Sequence, residues 1–263
     1  MGRQKRGRFA RGRDVRGRNA RGGGGSKPFD KIGALSPDLF AQLRYPVYNN
    51  VQALFRDPAC TVPVTDAGVH TIGGAKDPFT GAIILTQADA EKQFLWMGES
   101  IGARADGIDD YMIHTFGSIP IDTDLTVATR YKAASNTNKA QSIFRADYAG
   151  GELSYHPRWS DGTAYWTAGS NVAMVRSSWV GENDTINGDR VVLSRDTVLT
   201  ARKNGLQMDV SDSADSLSLA GETLVIGAFS EGLRFFDGTI QSFALWTRSL
   251  SGPEISTVEG VLA

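Results

Sequence analysis

The run RWSDGTAYW, Arg158 to Trp166, and its flanks concentrate side chains that could hold a ligand. Tyr155, His156, Trp159, Tyr165 and Trp166 supply aromatic surface, and a flat ring with a polar tip suits a sugar ring with hydroxyls at its edge. Asp161 and Asn171 could accept from or donate to those hydroxyls. Tyr155, Trp159, Asp161, Tyr165 and Trp166 are therefore the candidate glycan-binding residues. The competing reading buries Tyr155 and Trp166 in a core strand and lays Trp159 over a sheet edge.

Other chemistry is sparse. His70, His114 and His156 are far apart and none has H-x-x-x-H spacing, so no metal site is read from them. Asp161, Asp184 and Asp189 are loop acids that could hold calcium, but no cofactor is required by any motif. Cys60 is the single cysteine, which excludes an intrachain disulfide and fits a reducing compartment. It reads as a free thiol, with no histidine or asparagine partner identifiable. No GxxxxGK[ST] or GxGxxG segment occurs.

The formal charge of −1 conceals a strong asymmetry. Residues 1–25 carry nine basic groups (Arg3, Lys5, Arg6, Arg8, Arg11, Arg13, Arg16, Arg18, Arg21) and one acid, Asp14, for a net +8. The remaining 238 residues hold 19 basic and 28 acidic groups, for a net −9. The basic stretch repeats every five residues (KRGRF, ARGRD, VRGRN, ARGGG), a period that fits neither a helical stripe nor strand alternation. With so little apolar surface it cannot offset its ordering entropy alone, so it is expected to take shape only against a partner. Arginine suits carboxylate and phosphate, so that partner is an acidic protein surface or a nucleic acid. No apolar run is long enough to span a membrane, and no apolar stretch follows the basic N-terminus as a secretory signal would require.

The elements that must position the aromatic cluster are short strands. Leu125 to Tyr131 alternates Leu125, Val127, Thr129 and Tyr131 against Thr126, Ala128 and Arg130. A short apolar strand is expected at 83–85, and from Arg104 onward a meander with further strands at 142–145, 151–156, 164–168, 172–179, 191–194, 198–202, 217–219 and 223–229. Asn204-Gly205 predicts a type I′ hairpin. Ser36 to Leu43 reads as one helical turn, 73–81 as a loop, and 87–92 as a turn of helix. Near the end, Leu233 to Trp246 reads as a long core strand. Ile240 and Phe243 can both face the core only if an extra residue is absorbed near Gln241 and Ser242, as a β-bulge does. Ser251 and Glu254 then have capping-box spacing, with Pro253 in the first turn of a terminal helix. Many short strands and little helix mean a sandwich.

The closing run FFDGTIQSFALWTRSLSGPEI resembles the last strand and helix of the laminin-G/concanavalin-A-like superfamily. Phe236, Gly238, Ile240, Phe243, Leu245, Trp246, Arg248, Leu250, Ser251, Glu254 and Ile255 fit its pattern. ADGIDDYM, Ala105 to Met112, is similar to an early F-D-G-x-D-D-Y-L block, with Ala105 in place of the aromatic. LFRDPACTVPVTDAG, Leu54 to Gly68, resembles the opening of proteins of tailed bacteriophages, with Cys60 where a glycine stands. The resemblance implies an all-β jelly-roll sandwich of two antiparallel sheets, with an extended basic N-terminal arm and a short C-terminal helix. The expected divisions are 1–26 for the arm, 27–53 for a bridging segment against the sandwich, and 54–263 for the sandwich.

Enzymes of this fold carry paired acids as E-x-D-x-E on one strand. No such triplet occurs. Asp106, Asp109 and Asp110 come nearest, but in the D-G-x-D-D-Y block acids cap a turn, and Asp122 and Asp124 fall in a loop beside Pro120. The expectation is a non-enzymatic virion structural protein of capsid-decoration or head-fibre type, assembled in the host cytoplasm. Its arm would anchor it to capsid or another acidic virion surface in a symmetric assembly. One alternative is a carbohydrate-binding module of a tail or head fibre recognising host glycans. The other is a nucleic-acid-binding accessory protein acting through the arm.

Overall fold

Among the described residues, two antiparallel sheets of nine strands each lie face to face, with the main core between them. The computed structural model describes residues 29–65, 68–118, 124–137, 139–148, 150–170, 176–211 and 217–263. The arginine arm, Asp122 and Asn171 lie outside them. In chain order the elements are α1 (Asp30–Gly33), β1 (Leu39–Gln42), β2 (Val47–Tyr48), β3 (Val51–Gln52), β4 (Leu54–Phe55), β5 (His70–Ile72), β6 (Gly74–Lys76) and β7 (Ile83–Thr86). After a 3-10 turn at Ala90–Lys92 come β8 (Phe94–Trp96), β9 (Ala103–Asp106), β10 (Met112–Thr115), β11 (Leu125–Ala133), β12 (Phe144–Tyr148), β13 (Gly151–His156) and β14 (Thr163–Ser170). The chain continues with β15 (Arg176–Val180), β16 (Asp189–Arg195), β17 (Leu199–Lys203), β18 (Leu206–Val210), β19 (Thr223–Ile226), β20 (Asp237–Trp246) and α2 (Gly252–Leu262).

The first sheet runs β18-β17-β16-β11-β20-β9-β8-β5, with β1 also paired to β20. The second runs β15-β14-β13-β12-β19-β10-β7-β6-β4. The expected simple meander holds only for β12 to β15 and β16 to β18. Elsewhere β20 inserts between β11 and β9, and β19 between β12 and β10, the crossovers of a jelly roll. On β11 the alternation is as expected: Val127, Thr129 and Tyr131 point inward, while Ala128 packs on the opposite face with Trp246, Val192 and Val258. α1 and α2 contribute Ile32, Val258 and Leu262 to the cluster on that outer face, to which β1 adds Phe40 from within the sheet. The capping box of α2 is formed, with the Ser251 backbone N–H donating to Glu254 at 2.8 Å.

The bulge falls at Gln241. Arg130 on β11 pairs with Ser242, and the next residue, Tyr131, pairs with Ile240, so Gln241 has no opposite number there. Along the other edge of β20, β9 covers Asp237 to Ile240 and β1 covers Ser242 to Leu245. Gln241 therefore sits where one neighbouring strand hands over to another. The Asn204-Gly205 hairpin is also formed: both residues have positive φ (53° and 85°), and Lys203 pairs with Leu206.

Some local readings are corrected. Leu39 to Gln42 is the strand β1, not a helical turn. All four of its residues are buried, as a strand sandwiched between β20 and covering elements requires. Residues 74–76, expected in a loop, form β6, pairing with β4 and β7. Leu217 and Leu219 are buried core residues in irregular backbone, not a strand. The strand expected at 172–179 is described from Arg176 to Val180, with 171–175 outside the described residues. Cys60 is buried and adopts φ +54°, the left-handed conformation that favours glycine.

Candidate functional site on the outer face of the second sheet

Strand alternation divides the aromatic cluster in two. Phe144, Tyr155 and Trp166 are cross-strand neighbours on the inward face of β12, β13 and β14, and each is fully buried. Tyr155 stacks on Trp179, with centroids 5.9 Å apart, and its hydroxyl lies 2.9 Å from that of Tyr131. Tyr155 and Trp166 are thus core residues that no glycan can reach, and their assignment to a binding surface is corrected.

The other face of the same strands carries Arg145, Glu152, Ser154, His156 and Tyr165. His156 and Tyr165 are paired across β13 and β14. Between them the chain turns through Pro157 to Gly162, where Trp159 N–H donates to Thr163 O at 2.9 Å. Asp161 fixes this turn: it accepts from the Thr163 N–H at 2.9 Å and from the Tyr165 hydroxyl at 2.5 Å. The Tyr165 hydroxyl and then the Thr163 amide hold the Asp161 carboxyl below its ordinary range. Trp159 and Tyr165 meet edge to face at 6.4 Å and both remain half-buried at the surface.

A remote segment completes the surface. The turn after β19 brings Phe229 and Arg234 over the loop. The Arg234 guanidinium stands 4.2 Å from the Trp159 ring centroid and 4.3 Å from that of Phe229, while Arg145 lies 3.4 Å from the Phe229 centroid. Arg234 has φ +57°, a conformation that disfavours a side chain by about 1–2 kcal/mol, comparable to what its cation–π contacts return. Below it, Arg145 bridges Asp147 at 2.5 Å and Glu152 at 3.0 Å, reconciling two acids that face each other across β12 and β13. His156 is sealed beneath Trp159 and Phe229, with ring centroids 4.7 and 5.5 Å away. Burial pulls its imidazole down to about 3, with Arg145 and Arg234 adding in the same direction, so it packs as a neutral ring. Arg145, Phe229 and Arg234 were not among the residues picked out from sequence. No local spacing links them to Trp159.

The acids proposed for calcium do not converge. Asp161 serves its own loop. Asp184 caps the 184–188 turn, and Asp189 is buried against Lys203 at 3.2 Å. Among the described residues, Asp106, Asp109 and Asp110 are the one group of three acids with oxygens within 4.8 Å of one another. They cap a turn as expected: Asp106 accepts from Ile108 N–H at 2.7 Å, and Asp110 from Asp106 N–H at 2.9 Å.

A family model described as the concanavalin A-like lectin/glucanases superfamily matches residues 106–256, more than half of the chain. The chain belongs to this superfamily. A search of curated proteins finds no match. Among solved structures, the botulinum neurotoxin serotype D ligand binding domain in complex with N-acetylneuraminic acid is similar with a TM-score of 0.52 and 14% identity, over 85% of this chain and 50% of that one. The Ruminococcus gnavus IT-sialidase CBM40 bound to α2,3 sialyllactose has a TM-score of 0.44 and 16% identity, over 52% of this chain and 83% of that one. The NanB sialidase from Streptococcus pneumoniae has a TM-score of 0.42 and 19% identity, over 51% of this chain. The chain spans 24% of that sialidase. The family match and the neurotoxin-domain likeness bear on the fold alone. The comparisons carry no sign of phage origin.

Proposed function

We propose that this superfamily member is a non-catalytic carbohydrate-binding sandwich whose glycan surface is the Trp159 platform. The observation that carries the reading is the immobilised edge-to-face pair Trp159–Tyr165. Asp161 locks Tyr165 from below its hydroxyl, and Arg234 lies along Trp159. An aromatic ring fixed at the surface loses little entropy when a sugar stacks on it, and the flanking Asp161 carboxylate and Arg234 guanidinium offer an acceptor and donors for hydroxyls. The superfamily's description as lectins and glucanases supports a sugar ligand. The lack of an E-x-D-x-E strand supports binding without hydrolysis.

The test is a glycan array with the full chain, followed by titration of any hit. Trp159→Ala should abolish the hit, and Trp159→Phe should retain part of it, with both variants melting cooperatively. Absence of binding to any glycan, or full binding by Trp159→Ala, rejects the platform.

A second reading rests on the opposed charges of the two parts, +8 over residues 1–25 and −9 over the rest. In it the chain is a structural protein of a phage particle, docked by its arginines on an acidic capsid or other virion surface. Deleting residues 1–25 should then empty the particle of this protein, and wild-type occupancy by the deletion variant rejects it. If the arm instead binds nucleic acid, affinity should fall roughly 10³-fold or more between 50 and 200 mM salt.

A further inference from the structure

On the outer face of the first sheet three arginines gather around the end of α2. Arg130 on β11 and Arg190 on β16 are directly opposite in the register, and the chain just beyond β1 brings Arg44 to the other side of Arg130. Each is partly exposed, and none forms an ion pair with an acidic side chain among the described residues. Like charges directly opposite on a sheet destabilise it. Burial, then Arg44 and then Arg190 pull the Arg130 guanidinium below its ordinary pKa. Ala263, whose carbonyl accepts from Arg130, brings at most one negative charge against the three guanidiniums. A surplus of at least two positive charges is left.

Between Arg44 and Arg130 lies a cavity of about 280 Å³, bounded by Tyr45 and the last turn of α2, and no Asp or Glu lines it. The hollow on the Arg190 side is lined by Asp184 as well, so the Arg44 side is the one that suits an anion. The donors still free define the ligand. Arg130 Nη1 donates to the carbonyls of Leu262 and Ala263, which caps α2 and leaves Nε and Nη2. Arg44 Nε donates to Glu99 O, and its guanidinium lies 5.4 Å from the Tyr45 ring centroid, which leaves both terminal nitrogens. Tyr45 uses its backbone N–H and carbonyl on Gln42, and its hydroxyl makes no hydrogen bond among the described residues. Forked donors from two sides match the oxygens of a phosphate, and a dianion balances a surplus of two charges where a monoanion does not. We infer that this cavity binds a phosphate monoester, its oxyanion held between Arg44 and Arg130 and one of its oxygens on the Tyr45 hydroxyl. The site is independent of the Trp159 platform and stands or falls separately from it.

The experiment is calorimetric titration of the full chain with phenyl phosphate, phenyl sulfate and phenol at about pH 7.5, where the phosphate is mostly a dianion and the sulfate a monoanion. Phenyl phosphate should bind saturably, phenyl sulfate more weakly by roughly 5-fold or more, and phenol not at all. Arg44→Gln should weaken phenyl phosphate roughly 10-fold or more and Tyr45→Phe roughly 3-fold, at unchanged melting temperature. The basic residues 1–25 are the same in every variant, so a loss in Arg44→Gln reports the cavity and not the arm. Trp159→Ala should leave the titration as in wild type. Should Arg44→Gln fold poorly, Arg44→Lys keeps the charge and should keep the preference for phosphate over sulfate. No saturable binding of phenyl phosphate, equal affinity for phenyl sulfate, or wild-type affinity in Arg44→Gln overturns the assignment.

Discussion

The hydroxyls of Tyr131 and Tyr155 meet 2.9 Å apart in the middle of the sandwich, one from each sheet. Tyr131 donates onward to Asn183 Oδ1 at 3.1 Å. Asn183 in turn exchanges backbone and side-chain hydrogen bonds with Asn136. Burial drives both phenols well above their ordinary range. Because Tyr131 is the middle member, the two deletions should differ. Tyr155→Phe removes one bond and leaves Tyr131 paired with Asn183, for about 1 kcal/mol. Tyr131→Phe strands both the Tyr155 hydroxyl and Asn183 Oδ1, for about 2–4 kcal/mol. Urea unfolding of the two variants and the double variant should show a double cost well below the sum.

Acid should weaken the sandwich through His156. Its folded imidazole titrates near 3 against 6.5 when unperturbed, so between these values only the unfolded chain takes up the proton. The stability this residue contributes is complete above pH 6.5 and is lost as pH falls toward 3. The expected slope is up to about 1.4 kcal/mol per pH unit. His156→Phe, which keeps a ring against Trp159 and Phe229, should flatten the stability profile between pH 6 and 4. An unchanged slope would show that carboxylates elsewhere dominate it.

Asp110 should act in the opposite sense. It is 4% exposed, and burial pushes its carboxyl up to about 7, helped by Asp106 and Asp109. The folded chain therefore holds a proton that the unfolded chain releases from 3.8 upward, and the associated stability is lost as pH rises through about 7. Asp110→Asn can still accept from Asp106 N–H. It should be more stable than wild type at pH 8, on the order of 2 kcal/mol, with the difference shrinking toward pH 4.

Cys60 should be inert while the chain is folded. The thiol is buried and its pKa is pushed up to about 11, so almost no thiolate is available near neutral pH. A disulfide reagent at pH 8 should titrate no thiol in the native protein and one in denaturant. Rapid native labelling would contradict the burial.

Features written in a few consecutive residues were legible in the sequence. The Ser251–Glu254 box, the Asn204-Gly205 turn and the bulge at Gln241 each follow from local backbone chemistry or from which residues can share a face, and each is formed. Alternation also separated Tyr155 from His156 and Tyr165 from Trp166. The reading that buries Tyr155 and Trp166 in a core strand is the one the structure bears out, but alternation alone could not choose it, because both faces of this sheet carry aromatic residues. Only the packing of the second sheet against the first decided that Tyr155 and Trp166 are core. Leu39 to Gln42 looked helical in isolation and became a strand because β20 offered it an open edge. Arg145, Phe229 and Arg234 reach the Trp159 loop only through pairings between segments distant along the chain. Local runs fix turns, caps and bulges because those depend on neighbouring φ and ψ. Sites built across strands depend on register between remote segments, and that is set by the burial of the whole sandwich.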